Sequence, residues 1–275
     1  MANSSMTGSG PRSLGGQWAA TWLVRHGLGD GVPTPLLTAR LAARWRARLL
    51  GNVLLAVLFV AAALVQVTDR LATAASGGVG PGMSTPVLVL SASIVALLLV
   101  RTLIDAWVRR VDREAGAALA RRVAHPVQPG WRDLLGQPYA VLVVGTFAGA
   151  FALGAGALAV GEGAARQAAV VLLVAVAGVG VGAVLQLREL LARPVVAEDE
   201  VSLTADVIMR IEDARESTAP SVLWALPVVL LSGYAPGWWV AASFGFLVVG
   251  VAAYIAVHVR TPCVAAMARH MVGVR

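Results

Sequence analysis

Long apolar runs alternate with arginine-rich stretches along this chain. Apolar cores cover Leu50–Val67, Pro86–Val100, Tyr139–Val160, Ala168–Leu187, Ser221–Ser232 and Trp239–Val257, and none of them contains Asp, Glu or Arg. A hydrocarbon layer about 30 Å thick needs about 20 such residues per helix. The pattern predicts an all-α polytopic membrane bundle of about six transmembrane helices. Its fifth element, "SVLWALPVVLLSG", is short, and Pro227 removes a backbone donor from it. That stretch reads as a re-entrant or broken helix as readily as a full span.

Polar positions divide the rest. Residues 1–17 are rich in Ser and Gly and read as a disordered tail, without the apolar stretch of a signal peptide. Residues 18–49 read as an interfacial segment. Trp18 and Trp22 stand one helical turn apart, and Leu37, Leu41, Trp45 and Leu49 recur every fourth residue beside Arg40, Arg44 and Arg48. On the inner leaflet these guanidinium groups would reach lipid phosphates. The same periodicity also fits a cytosolic extension of the first span. Residues 50–275 then form the six-span domain, with cytosolic loops 101–138 and 188–220.

Within the spans, Gly145 with Gly149 and Gly178 with Gly182 form GxxxG pairs, which let helix backbones approach closely. They predict tight packing of spans three and four, with a homodimer contact through the same glycines as the alternative. Short echoes, "WRARLLG" before span one and "WRDLLGQ" before span three, suggest three consecutive helical hairpins.

Composition sharpens the class. Hydrophobic residues make up 58% and charged residues 13%, against about 25% charged in soluble domains. Arginine sets the orientation: residues 1–49, 101–138, 188–220 and 259–275 hold 6, 7, 4 and 3 of them, and the remaining loops only Arg70 and Arg166. Both termini are therefore expected in the cytoplasm. The net charge of +7 is a topology signal facing anionic lipid, and no nucleic-acid motif accompanies it.

Chemistry is limited by what is missing. There is no lysine, so neither a Walker A loop nor a Schiff-base site is available. Arginine in place of every lysine also suggests a GC-rich bacterial gene, hence a bacterial cytoplasmic membrane. Cys263 is the only cysteine, and His26, His125, His258 and His270 lack metal-ligand spacing. The consecutive acids Glu198, Asp199 and Glu200 lack the spaced ligands of a calcium loop. No ionisable residue lies inside a span, where functional charges of carriers and intramembrane enzymes are kept. Neither enzymatic activity nor any cofactor or metal centre is expected.

Between spans two and three, "RVDREAGAALARRVAHPVQPGWRDLLGQPYAVLVVG" carries Glu114, Gly116, Pro126, Val127, Leu135 and Gly136. This stretch resembles the first cytosolic loop of type-2 ATP-binding-cassette exporter permeases, where a Glu-and-Gly helix, a Pro turn and a Leu-Gly pair precede span three. The resemblance implies a six-span permease subunit, a separately encoded ATPase as partner and export through a homodimer. Glu114 and Gly116 would then be docking residues.

Residues 193–216 hold seven of the fifteen carboxylates. One reading has Ser202 cap a helix whose Leu203, Val207, Ile208 and Ile211 face the protein or membrane. In it Asp206, Glu212, Asp213 and Glu216 are solvated, and Asp206–Arg210 and Glu212–Arg215 are surface pairs. In the other, the same four acids dock a basic partner or clamp the Arg-rich stretch 109–122. The expected function is a membrane-embedded subunit of an export complex driven by a separate ATPase. The alternative is a membrane-anchored interaction or regulatory protein that uses this acidic loop.

Overall fold

The computed structural model describes residues 14–29, 33–75, 85–117, 130–192, 200–218, 220–235 and 237–273. Among them the structure is helical without strands: α1 (Leu14–Arg25), α2 (Pro35–Ala75), α3 (Thr85–Ala117), α4 (Trp131–Leu135), α5 (Gln137–Val160), α6 (Gly163–Ala192), α7 (Glu200–Ser217), α8 (Ser221–Leu231), α9 (Gly237–Arg260) and α10 (Val264–Val272). Five of these, α2, α3, α5, α6 and α9, are long and apolar enough to cross a membrane. Large apolar side chains such as Val57, Leu64, Val141, Val174 and Val248 are exposed along them. The chain is a multi-pass membrane protein, and those side chains face lipid.

The 41 residues of α2 extend about 60 Å at 1.5 Å per residue, twice the hydrocarbon thickness. The predicted boundary at Leu49 therefore falls inside one helix, and residues 35–49 extend the first span. α3 likewise continues past its apolar core to Ala117. Both overhangs lie at the Arg-rich end of the bundle, where α1, α4, α7 and α10 pack on them and on one another. The first and last described helices thus share one end, and the Gly27 backbone approaches the Arg269 guanidinium.

Two apolar cores result. The cap core contains Trp22 and Leu23 of α1, Leu134 and Leu135 of α4, Ala265 and Ala268 of α10, and Ile208, Met209 and Ile211 of α7. The bundle core centres on α8, through Leu223, Leu226, Val229, Leu230 and Leu231, against α2, α3, α5, α6 and α9. Trp22 is therefore a core residue stacked on His26 rather than an interfacial anchor, whereas Trp45 and Leu49 remain exposed.

The expected fifth span is only the 11 residues of α8, about 16 Å long, too short for a full membrane helix. Its path is nonetheless defined by its neighbours. Antiparallel α5 and α9 place Tyr139 beside Tyr254 and Gly156 beside Trp239. Trp224 of α8 lies against Gly250 and Tyr254, near the Arg-rich end, and Gln66 reaches Val229 and Ser232 toward the other. Its burial by other helices lets Pro227 sit inside it. The pairs α2/α3, α5/α6 and α8/α9 pack as successive hairpins, but in the third the short α8 stands where a full span was expected.

The glycine pairs act differently from expectation. α5 and α6 do pack together, but at Gly154, where an added Cβ would lie 2.8 Å from Leu173. Gly149 instead receives Phe246 of α9, Gly178 faces Leu98 of α3, and Gly145 and Gly182 have nothing within 4 Å of a Cβ. A GxxxG spacing marks a smooth helix face without naming its neighbour. Gly136 is set by backbone: at φ 80° it turns α4 into α5, a conformation that favours glycine.

Gly250→Ala should collide with the Trp224 indole and lower stability by about 1–3 kcal/mol, whereas Gly145→Ala should leave it unchanged or slightly raised. Unfolding in detergent micelles distinguishes the two; equal effects would contradict this packing.

Candidate functional site

α7 has the strongest local acidity among the described helices, and its middle is closed to solvent. Every residue from Leu203 to Ile211 is buried, Asp206 and Arg210 included. The helix starts at Glu200, so Ser202 lies in its first turn and is not its cap. Glu198 and Asp199 fall outside the described residues, and no group of metal-binding side chains occurs among those described.

The acids of α7 meet the arginine row of α2, not solvent. Arg40 donates from Nε to Asp112 at 2.9 Å and from Nη2 to Asp206 at 2.7 Å. Arg44 makes a bidentate pair with Asp112, at 3.0 and 2.8 Å, and reaches Asp213 from Nε and Nη2 at 2.9 and 2.8 Å. Arg48 donates to Glu216 at 2.6 Å and Glu212 at 3.0 Å. Asp206 also accepts from Arg210, which is the expected intrahelical pair.

Successive rungs climb both helices together, so α2 and α7 run in the same direction through the ladder. Both head for the bundle, and α8 follows directly after α7. Asp112 on α3 joins the first two rungs, which ties α2, α3 and α7 at one point.

This geometry corrects both readings of the acidic stretch. Asp206, Glu212, Asp213 and Glu216 are not a solvated face; Asp206 is 2% exposed and Arg44 5%. The clamp expected on residues 109–122 closes instead on Arg40, Arg44 and Arg48, which therefore do not reach for lipid phosphates. Arg215 turns away from Glu212: its guanidinium lies over the Tyr139 ring and donates to the Leu135 carbonyl. Arg109 pairs with Glu189 at 3.4 Å, and Asp105 with Arg101 and Gln186. Glu114 is exposed at the tip of α3, paired with Arg110. Gly116 lies in the last turn of that helix, while Pro126 and Val127 fall outside the described residues.

His26 extends the ladder from α1. Its Nδ1 lies 2.8 Å from the Trp22 carbonyl and its Nε2 3.3 Å from Glu212. Both partners are hydrogen-bond acceptors, an arrangement that favours the doubly protonated, cationic imidazole. Burial opposes that charge, but the hydrogen bonds His26 donates to Glu212 and to the Trp22 carbonyl outweigh it, and the pKa is raised above 6.5. For Glu212, burial is likewise overcome by His26 and Arg48, which hold the carboxyl below 4.5. Burial prevails at Glu216, whose carboxyl is raised despite Arg48 and Arg101.

Beside the ladder, two recesses meet at Arg101, Gln186, Glu216 and Ser217. One, between α2, α3, α6 and α7, carries the charged side chains Arg44, Asp105, Arg109 and Asp213. The other descends between α2, α3, α6 and α8, has a volume of about 130 Å³ and is mostly apolar, lined by Leu54, Leu97, Leu98, Gly178 and Gly182. Asp112, Arg101 and Gln186 belong to this region although the sequence does not single them out as site residues. The signal present in the sequence was the matching four-residue period of Arg40, Arg44 and Arg48 and of Glu212 and Glu216.

No protein-family model matches the chain, and no curated protein or solved structure matches it. These comparisons bear neither for nor against the permease resemblance.

Arg44→Leu would leave the half-buried Asp213 without its arginine and the buried Asp112 with Arg40 alone, and should cost about 3–5 kcal/mol. Arg110→Ala, at an exposed pair, should cost less than about 1 kcal/mol. Denaturant unfolding in micelles reads both, and a small Arg44 effect would dismiss the ladder as a structural clamp.

The His26–Glu212 pair should be fully present between the two unfolded values, 4.5 and 6.5. Its stabilisation fades as pH rises through the raised His26 pKa, or falls through the lowered Glu212 pKa. NMR titration should find His26 above 6.5 and lower it in Glu212→Gln; an unmoved His26 in that variant would refute the pairing.

Proposed function

We propose that the chain is the membrane-embedded subunit of a bacterial export complex, driven by a separately encoded ATPase and paired with a second copy of itself. Its Arg-rich end faces the cytoplasm of the inner membrane. The supporting observation is mechanical. α2 and α3 overhang the bilayer as a two-helix stalk, and the ladder welds α7 to both, so a load applied to the cap passes into spans as one body. A motor that docks on the cap needs such stiffness. The exposed tip of α3, with Arg110 76% and Glu114 66% exposed, is the docking surface in this reading, and the loop resemblance points to the same place.

The alternative, a membrane-anchored regulatory protein recruiting through its acidic loop, loses its surface. Asp206, Glu212 and Asp213 are consumed within the chain through both carboxylate oxygens, and Glu216 through one of them.

Orientation follows from the arginine asymmetry. In intact cells an impermeant maleimide should label Glu162→Cys in a Cys263→Ser background. The native, exposed Cys263 should label only after permeabilisation, and the opposite pattern would invert the topology. Affinity purification from the native membrane should recover an ATPase, and Glu114→Arg should reduce that recovery about tenfold if the α3 tip docks it. Purification without any ATPase would reject the export reading.

A further inference from the structure

The apolar recess is bounded by three membrane-crossing helices, α2, α3 and α6, and by the short α8, so its lower part lies at the depth of the bilayer. Protein does not fill it. A Cβ on Gly182 would meet nothing within 4 Å, and one on Gly178 only Leu98, at 3.6 Å. This bare strip of α6 opposite Leu54 and Leu98 is apolar, as an alkyl chain is. Atoms lining a void forgo dispersion attraction on that side, and a chain that occupies it restores the attraction.

The mouth of the recess is different from the ladder above it. Arg40, Arg44 and Arg48 hold their carboxylates in short hydrogen bonds, whereas Arg101 lies 3.8 Å from Asp105 and 3.8 Å from Glu216, outside hydrogen-bond reach of both. Its guanidinium rests on Gly51, where a Cβ would displace it, and it is 32% exposed. A guanidinium so placed suits a phosphate. Gln186 holds Asp105 Oδ2 and Arg48 holds Glu216 Oε2, which leaves Asp105 Oδ1 and Glu216 Oε1 on either side of Arg101. These two oxygens repel a head that is only anionic and match a head that also carries a hydrogen-bonding cation.

We propose that this recess binds one phosphatidylethanolamine molecule, with an acyl chain along Gly178 and Gly182, its phosphate on Arg101 and its primary ammonium between Asp105 and Glu216. Phosphatidylglycerol lacks the cation. Phosphatidylcholine carries a methylated ammonium that cannot donate a hydrogen bond to either carboxylate. The site needs no ATPase, so its test and that of the export reading fail independently.

The full chain in detergent, mixed with equal amounts of dioleoyl phosphatidylethanolamine, phosphatidylglycerol and phosphatidylcholine, is examined by native mass spectrometry. Phosphatidylethanolamine should be retained about tenfold over the other two, and Arg101→Ala should remove that preference with about a tenfold loss of binding. Gly182→Leu, which fills the recess and leaves the mouth intact, should cause a similar loss, while Gly145→Leu on the exposed face of α5 should cause none. Circular dichroism and melting temperature establish that each variant is folded; if Arg101→Ala is not, Gly182→Leu carries the test. Retention of phosphatidylglycerol equal to or above phosphatidylethanolamine would overturn the assignment of the head. Unchanged binding in folded Gly182→Leu would overturn the site.

Discussion

The fold depends on one guanidinium that cannot be left alone. Arg44 is buried between Asp112 of α3 and Asp213 of α7 and satisfied by both. Removing charge from water costs several kcal/mol per ion, and only well-aligned, hydrogen-bonded partners offset it. Any arrangement that separates α2, α3 and α7 exposes that cost three times over. The rungs on either side, at Arg40 and Arg48, then fix rotation and register, because a slip of one residue would carry every carboxylate off its arginine. Such a ladder contributes more to specificity of arrangement than to net stability.

Register at the cap has consequences inside the membrane. Because α7 runs in the same direction as α2, its end is aimed at the bundle, and α8 follows close behind. The short helix reaches the centre of the bundle, and its polar backbone is enclosed by α2, α5, α6 and α9. Two regimes of packing meet at this junction. Around Ile208, Met209 and Ile211, burial from water drives association. Around α8 the surroundings are as apolar as the core, and close fit must serve instead. Gly154 admits Leu173 there, and Gly250 admits Trp224.

Charge balance links the cap to its surroundings. The arginines of the α2 overhang are neutralised inside the protein and withdrawn from the lipid surface, as are the acids of α7. The groups left facing outward at this end include Arg110, Glu114 and the loosely held Arg101. Function is therefore sought at the α3 tip and at the recess mouth, not in the ladder.

Much of this was legible in the residues themselves. Apolar runs longer than a soluble core helix, empty of charge, leave no alternative to membrane helices. Arginine asymmetry placed the cap at one end, and Pro227 in a short run announced α8 as atypical. Partner choice was not legible. The acidic row of α7 complements residues 109–122 as well as it does Arg40, Arg44 and Arg48, since opposite charge carries no address, and Asp112 looks like any exposed helix acid until Arg40 and Arg44 converge on it. GxxxG spacing likewise marks a small-residue face and is silent about whether Phe246, Leu98 or open space lies opposite. The sequence by itself determined which segments are helices and which solvent each must meet, because hydrophobicity and period are local properties. Only the tertiary structure decided which helix answers which, because Coulombic and steric complementarity are many-to-one until distances select among them.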